Sequence, residues 1–278
     1  MPADPLPSRW SVIAAYAFVA AATQLLWLNF AGVTTVSADH YGVSETAIGW
    51  LAQVFPLLFI ALAIPAGALL DRWFRGGLLA GALLTAAGAL VRVVGDDFGW
   101  VLAGQVLIAV AQPLVLTAIT GVTSNYLAEK DRPTGIAIGT ASTFFGMLAA
   151  FVLAFVYSEG AQLRNLVVVS AVIACTAAGV LATALRGTPP QLAADRRSDR
   201  PTVRSVWADP FVRRLCLLVT LPFGTFISLT TFAQPLLEPA GVSADAANLI
   251  LMANVVAGIV AVRWCPCSRH VWARRWRS

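Results

Sequence analysis

The chain has 278 residues, of which 58% are hydrophobic and only 12% charged, and its mean hydropathy is +0.76. A soluble domain carries about 25% charged residues, so these charges are too few to cover a water-soluble fold, and the composition indicates a membrane protein. The net charge of +5 does not indicate a nucleic-acid partner, because the basic residues lie at span ends and in one loop.

Apolar stretches long enough to cross a bilayer, which takes roughly 20 residues, follow one another along the chain. The sequence predicts seven full spans and a short eighth, at about 10–36, 48–70, 77–94, 100–126, 134–157, 165–185, 215–237 and 249–262. The eighth has 14 residues, too few to cross a hydrocarbon core of roughly 30 Å. We therefore expect an all-α membrane protein.

Basic and acidic residues occupy alternate connections between these spans. Residues 186–214 and the other connections on the N-terminal side of the membrane are rich in arginine, whereas the opposite connections are mainly acidic. Because cytoplasmic loops carry the excess of Lys and Arg, the N-terminus is predicted to be cytoplasmic. We expect a multi-pass protein of the cell (inner) membrane.

The layout of the chain indicates two related halves. Residues 186–214 are rich in proline and charge, as in a flexible linker. Gly42-Val43-Ser44 after span 1 recurs as Gly241-Val242-Ser243 after span 7, 199 positions later. A duplicated half predicts such a repeat. The predicted domains are a six-helix bundle, a cytoplasmic linker, a partial second bundle and an aberrant basic tail, at 1–188, 189–212, 213–262 and 263–278.

The connection between spans 2 and 3 carries the most specific motif, Gly67-Ala68-Leu69-Leu70-Asp71-Arg72-Trp73-Phe74-Arg75-Gly76. It resembles the Gly-x-Leu-Ala-Asp-Arg-x-Gly-Arg-Arg/Lys pattern of the major facilitator superfamily, from which Phe74 and Gly76 depart. The resemblance implies two six-helix bundles, here a complete N-terminal bundle plus about two helices of the second. It also implies a gating latch on the cytoplasmic side, formed by Gly67, Asp71, Arg72 and Arg75. The alternative is an ordinary charged turn.

Spans 1 to 5 resemble one branch of that superfamily, the feline leukaemia virus subgroup C receptor branch of haem and choline carriers. The resemblance rests on Gln24-Leu25-Leu26-Trp27, Ile48-Gly49-Trp50-Leu51, Leu69-Leu70-Asp71, Gly104-Gln105-Val106-Leu107 and Ala111-Gln112. It implies that Trp27 and Gln112 face the substrate. Span 7 departs from the branch, because Gly224-Thr225-Phe226-Ile227 lacks the tyrosine that follows Gly-Ala-Phe there, so an aromatic cage would be incomplete.

The residues themselves favour a polar site in the middle of the membrane. Trp27 lies far from the interfaces where tryptophans concentrate, and an indole face can hold an organic cation. Gln112 precedes Pro113, which bends span 4 and frees a carbonyl group. Gln24 and Asn29 are lesser candidates. The alternatives are packing for Trp27 and hydrogen bonds between helices for the amides.

Arg92 is the one charge predicted inside the first seven spans. Because Asp96 and Asp97 follow closely, we expect it to snorkel to the membrane surface and pair with them. No Asp, Glu, His or Lys lies inside a predicted span, so a proton-coupled carrier would need its titratable group in the missing part of the second half, and otherwise the protein is a uniporter. No nucleophile, base or metal constellation appears, so we expect neither an enzyme nor a cofactor.

The segment after Val262 differs from everything before it, being basic and rich in Trp and Cys. We expect it to be the product of a frameshift or a misplaced gene end, so that the chain is truncated at its C-terminus. One alternative is a metal site formed by Cys265, Cys267 and His270, although two thiols with one intervening residue fit zinc poorly. Another is a basic-aromatic anchor at the membrane surface.

These observations predict transport of a small solute by alternating access, in a secondary carrier or uniporter, with an organic cation as one candidate substrate. The expected partners are the small-molecule substrate and the lipid bilayer, and no protein partner is required. The alternative is a truncated, non-transporting membrane fragment, or a membrane scaffold or binding subunit.

Overall fold

The computed structural model describes residues 8–187 and 207–264, which are helical and contain no strand. In chain order, the helices are α1 (Trp10–Leu28), α2 (Thr34–Tyr41), α3 (Glu45–Arg72), α4 (Phe74–Val94), α5 (Phe98–Leu116), α6 (Ile119–Tyr126), α7 (Arg132–Val156), α8 (Leu163–Ala184), α9 (Pro210–Leu237) and α10 (Ala244–Trp264). Most of the predicted linker and the tail from residue 265 lie outside the described residues, and so do Cys265, Cys267 and His270 of the alternative metal site.

Within the part that the structure describes, six helical stretches are long and apolar enough to cross a membrane. They are Trp10–Leu28, Glu45–Arg72, Phe74–Val94, Phe98–Leu116, Glu129–Val156 and Gly160–Ala184. The chain is therefore a multi-pass membrane protein. We name the two ends of this bundle after α3: the Gly42 end, where α3 begins, and the Arg72 end, where it finishes.

Spans 1 and 4 are not the continuous helices that the sequence predicted. Residues 29–33 separate α1 from α2, and residues 117–118 separate α5 from α6. In span 4, Pro113 cannot donate to the carbonyl group four residues earlier, and the Thr117 hydroxyl bonds back to the Pro113 carbonyl oxygen at 2.7 Å. These features weaken the helix next to the break.

The first six spans form two sets of three, and the helices of one set match those of the other in length and order. The first span of each set contains a break. α1 and α2 have 19 and 8 residues, and α5 and α6 have 19 and 8 residues again. α3 and α4 have 28 and 21 residues, and α7 and α8 have 25 and 22. Because span 1 runs towards the Gly42 end and span 4 away from it, the sets have inverted topology, an arrangement found in transporters.

The repeated Gly-Val-Ser sequence adopts the same turn in both places. Gly42 and Gly241 have φ angles of 64° and 80°, in the left-handed region that favours glycine. In each turn the serine side chain caps the next helix: Ser44 Oγ accepts from the Ala47 amide at 3.2 Å, and Ser243 Oγ from the Ala246 amide at 3.3 Å. The predicted duplication thus extends to backbone conformation and capping.

Small residues bring the helices of the bundle into close contact. A Cβ atom on Gly146 of α7 would overlap the backbone of Ala21 in α1. Between α4 and α5, a Cβ atom on Gly88 would lie 2.7 Å from the Gly104 carbonyl oxygen. Membrane helices lack a hydrophobic force between them and depend on such close packing. Gly135 and Gly139 of α7 are also buried against neighbouring helices.

The eighth predicted span is longer than the sequence indicated. Instead of 14 residues from Leu249, α10 has 21 residues, because it begins directly after the Ser243 cap and continues to Trp264. At 1.5 Å per residue its length is about 31 Å, although α10 is not among the six stretches that are both long and apolar enough to cross a membrane. Leu251 and Val255 of α10 pack with Met147, Ala150 and other residues of the first bundle.

Candidate functional site

Trp27 lies in the interior of the bundle, where α1 meets α3. Its side chain is 6% exposed, and its ring centroid is 6.1 Å from that of Phe55. The indole Nε1 donates to the Ala52 carbonyl oxygen at 2.8 Å. That carbonyl group would normally accept from residue 56, which is proline and has no N–H. Trp27 therefore satisfies a backbone acceptor that Pro56 leaves free.

Gln24 and Asn29 are buried near the end of α1. Asn29 Nδ2 donates to Ser170 Oγ of α8 at 3.3 Å, whereas its Oδ1 has no donor among the described residues. Gln24 Oε1 is likewise buried without a donor there. A buried amide oxygen without a hydrogen bond costs about 1–3 kcal/mol, so both atoms suit contact with a ligand or with water.

Gln112 occupies the corresponding region of α5, one residue before Pro113. Its side chain is buried, and its Nε2 has no acceptor within the described part of the chain. The recorded hydrogen bonds of the four candidates do not join them to one another. The structure therefore places Trp27, Gln24, Asn29 and Gln112 in the interior, with three of them retaining unused polar atoms.

The helix breaks place four helix ends in this interior. α1 and α5 end at Leu28 and Leu116, next to Asn29 and a few residues after Gln112. Each C-terminal end carries a partial negative charge, but α2 and α6 begin a few residues later with the opposite partial charge, so the two largely cancel. Sequence reasoning missed these ends because it treated spans 1 and 4 as continuous; the signals were Gly32 in the first and Pro113 in the second.

The prediction that Arg92 snorkels to the membrane surface and pairs with Asp96 and Asp97 is wrong. It is 2% exposed, and it is the one charged side chain among the buried residues that the structure describes. Its Nη1 donates to Gln105 Oε1 at 3.2 Å, and its guanidinium carbon lies 5.0 Å from the centre of the Phe30 ring. The prediction failed because it considered neighbours in sequence, whereas α5 and the break after α1 supply the contacts.

Both acidic residues near Arg92 have other contacts. Asp96 Oδ1 lies 3.2 Å from His40 Nε2. Asp97 caps α5, where its Oδ1 accepts from the Gly99 amide at 2.9 Å. Gln105 uses its Nε2 to donate to the Leu26 carbonyl oxygen at 3.1 Å, so it links Arg92 to the last turn of α1. Arg92 is thus tied to the helix that carries Trp27.

The motif between spans 2 and 3 lies at the Arg72 end, and its residues are not equivalent. Arg75 Nη2 donates to the carbonyl oxygen of Leu185, the residue that directly follows α8, so Arg75 caps a helix of the first bundle. Asp71 and Arg72 are exposed in the last turn of α3. A Cβ atom on Gly67 would meet nothing within 4 Å, so this face of α3 is uncovered among the described residues.

A contact between the two halves lies near the Gly42 end. Asn248 of α10 is buried, and its Nδ2 donates to the carbonyl oxygen of Gly32 in the α1–α2 break at 2.8 Å. Gly32 leaves no room for a side chain at this point, because a Cβ atom there would overlap Asn248 and lie 2.8 Å from the Ala154 Cβ. Sequence reasoning did not identify Asn248 as part of this contact.

One apolar cavity of about 650 Å³ lies between α1 and α7, with Phe18, Leu25, Ile138 and Phe145 in its wall. None of the four candidate residues lines it. Ligand sites combine apolar walls with a few polar groups that orient the ligand, and this wall has almost none. The cavity therefore offers a ligand fewer orienting groups than the buried amides do.

Comparison with protein families gives one match, to the family described as Major Facilitator Superfamily, over residues 11–277. Among solved structures, the fold resembles a bacterial homolog of the human lysosomal transporter Spinster, in an inward-facing and unoccupied conformation. The TM-score is 0.73 and the identity 17%, over 94% of this chain and 64% of that one. At this identity the likeness shows the fold alone.

Two curated relatives cover different shares of the chain. Solute carrier family 49 member A3 of Danio rerio is 26% identical over 270 residues, which are 90% of this chain and 56% of the relative. The choline/ethanolamine transporter FLVCR1 of Mus musculus is 30% identical over 151 residues, which are 53% of this chain and 27% of the relative. The chain spans about half the length, or less, of these relatives.

Proposed function

The chain belongs to the major facilitator superfamily, and from that premise we propose that it carries a small solute across the membrane by alternating access, as a secondary carrier or uniporter. The observation that carries this proposal is the turn at Gly42 that recurs at Gly241, with the same backbone conformation and the same serine cap. Two related halves that pack against each other are the architecture on which alternating access depends.

The contact between Asn248 and Gly32 supports a state closed at the Gly42 end. Solute would enter from that end only after this hydrogen bond breaks and α10 separates from α1 and α7. The Gly67–Arg75 motif at the opposite end is our proposed latch, in which Asp71 and Arg72 act between the halves. Because Arg75 caps α8, its part in the latch is to fix the motif on the first bundle.

Charge placement supports an orientation with the Arg72 end in the cytoplasm. Arg9, Arg75, Lys130 and Arg132 lie at this end, and acidic residues such as Asp96 lie at the other. Cytoplasmic loops carry the excess of basic residues. We accordingly propose a cytoplasmic N-terminus in a cell (inner) membrane.

We also propose that the chain is divided into a six-helix bundle, a linker, a partial second bundle and a tail. Their bounds are 1–188, 189–212, 213–262 and 263–278.

For the substrate we propose a small organic cation bound by Trp27, Gln24, Asn29 and Gln112. The mouse relative FLVCR1, whose name describes it as a choline/ethanolamine transporter, is 30% identical over 151 residues, which are 53% of this chain. The unused amide oxygens of Gln24 and Asn29 can accept from an ammonium or a hydroxyl group. An indole face contributes about 0.5–2 kcal/mol to holding a cation.

Equilibrium binding of radiolabelled choline to the purified full chain tests this site. We expect Gln112→Ala and Gln24→Ala each to weaken choline binding about tenfold, equivalent to about 1.4 kcal/mol. Gln53→Ala, which alters a glutamine outside the proposed site, should leave the affinity unchanged. Equal affinities in all four proteins would remove these residues from the site, and absence of any saturable choline binding would remove choline as the substrate.

A further inference from the structure

Arg92 retains two hydrogen-bond donors that no described residue accepts. Its Nη1 bonds to Gln105, but Nε and Nη2 are buried without an acceptor. These two nitrogens lie on the same edge of the guanidinium group. That edge matches the two oxygens of a carboxylate, which it can bind through two parallel hydrogen bonds.

The contacts already present do not satisfy these donors. The ring of Phe30 can offset part of the cost of the buried charge, by about 2 kcal/mol. The C-terminal end of α4, where Arg92 lies, can add up to about 2 kcal/mol. Neither provides an acceptor for Nε or Nη2, and each donor left unpaired costs about 1–3 kcal/mol. An acceptor with two oxygens would remove that cost.

Neither acidic residue close to Arg92 in sequence forms an ion pair with it. Asp96 is held by His40, and Asp97 caps α5. Burial, and next the Asp96 carboxylate, raise the pKa of the Tyr41 phenol, while the guanidinium groups of Arg92 and Arg164 act against them. Tyr41 therefore remains a neutral phenol at pH 7. Among the described residues, no carboxylate lies within ion-pair distance of Arg92.

The cover over Arg92 belongs to a segment that the other half holds in place. Phe30 lies in the break between α1 and α2, two residues before Gly32. Gly32 accepts the hydrogen bond from Asn248 of α10. When α10 separates from this break, the segment that carries Phe30 loses the contact between halves that fixes it.

We propose that Nε and Nη2 of Arg92 form a binding site for one small carboxylate, which enters from the Gly42 end when the Asn248–Gly32 hydrogen bond breaks and Phe30 moves off the guanidinium. The opening step rests on the proposed alternating access. The carboxylate belongs either to a free ion or to a transported zwitterion, and the same guanidinium edge serves both. In the closed state described here, the site is covered.

Thermal unfolding of the purified full chain in detergent tests the site without any transport assay. Sodium formate, sodium chloride, glycine betaine and choline chloride are compared at equal ionic strength. We expect formate to raise the unfolding midpoint of Asn248→Ala. The formate concentration that gives half of the maximal rise should be at least tenfold lower than for the unaltered chain, because the open state is more populated in the variant. Phe30→Ala should behave in the same way, since it removes the cover directly.

The variants at Arg92 decide the outcome. In the Asn248→Ala background, Arg92→Gln should abolish the formate response, and Arg92→Lys, which keeps the charge but not the paired donors, should weaken it at least tenfold. The proposal is overturned if the formate response survives Arg92→Gln. If the glutamine variant does not fold, the proposal is overturned when the response is undiminished in Arg92→Lys. Absence of both a formate response and a betaine response in Asn248→Ala, or a measurable chloride response that is as large as the formate response, also overturns it.

Glycine betaine separates the two sources of the carboxylate, because it carries a carboxylate where choline carries a hydroxymethyl group. A response to betaine without a response to formate assigns the site to a zwitterion, and a response to both assigns it to carboxylates in general. Either result supports the site. Because binding is read from unfolding, a chain that shows anion binding but no solute flux would contradict the transport proposal and not this one.

Discussion

The indole N–H of Trp27 donates to the Ala52 carbonyl oxygen, the acceptor that Pro56 leaves without a helical partner. Trp27 thus has a structural contact on α3 in addition to its proposed role towards a cation. Replacing it with alanine would remove both at once. Phe is the more informative replacement, because it keeps an aromatic face and removes the donor.

Trp27→Phe should lower the free energy of unfolding by about 1 kcal/mol, because the Ala52 carbonyl group is then buried without a donor. Adding Pro56→Ala restores an N–H at position 56 and should recover most of that loss. The measurement is thermal unfolding of both single variants and the double variant in detergent. The change in unfolding free energy caused by Pro56→Ala is compared between the Trp27→Phe chain and the unaltered chain. If Pro56→Ala stabilises both equally, the hydrogen bond does not stabilise the fold.

Gly146→Ala should destabilise the contact between α1 and α7, because the new Cβ would overlap the Ala21 backbone, which cannot rotate away. Overpacking of this kind costs about 1–3 kcal/mol. Gly179→Ala in α8 is the matched control, since its Cβ would meet nothing within 4 Å. Unfolding midpoints provide the comparison, and equal midpoints for the two variants would contradict this packing.

Asn248→Ala should favour the state open at the Gly42 end. The reporter is Leu251→Cys at a buried position, in a chain whose native cysteines are replaced by serine. We expect this cysteine to react with a membrane-impermeant maleimide at least fivefold faster when Asn248→Ala is present than when it is absent. Asn254→Ala changes the same residue type at an exposed position of α10 and should leave the rate unchanged. An unchanged rate in Asn248→Ala would show that the hydrogen bond to Gly32 does not hold the halves together.

Arg75→Ala and Arg72→Ala should separate a structural arginine from a gating one. Arg75→Ala removes the cap on α8 and should lower the unfolding free energy by about 1 kcal/mol. Arg72 is exposed, so Arg72→Ala should leave unfolding unchanged and slow solute exchange if the motif acts as a latch. Unfolding and flux are measured on the same preparations, and a reversed pattern would refute this division of roles.

Much of the fold could be predicted from the lengths of the apolar segments and from the glycine, proline and capping residues between them. α4 and α8 match the expected spans within a few residues, and the Gly42 turn and its repeat at Gly241 follow from local sequence. The breaks at 29–33 and 117–118 were missed because a helix in lipid tolerates Gly and Pro, so these residues alone do not show whether a span continues.

The site was less predictable, because it depends on which helices become neighbours. The sequence indicated Trp27 and Gln112 but could not show that Trp27 bonds to α3. It assigned Arg92 to Asp96 and Asp97, which are near in sequence, whereas Gln105 and Phe30 reach it from other elements. Asn248 had no sequence signal beyond its polarity, since its partner lies 216 positions away.

Solute counterflow in proteoliposomes that contain the full 278-residue chain tests the central claim most directly. With radiolabelled choline outside and unlabelled choline inside, alternating access predicts a saturable, transient accumulation of label above that in protein-free liposomes. Gln112→Ala should shift half-saturation about tenfold higher, in line with its expected loss of affinity. Label uptake that does not saturate and does not exceed that of protein-free liposomes would contradict the account and favour a non-transporting membrane fragment or scaffold.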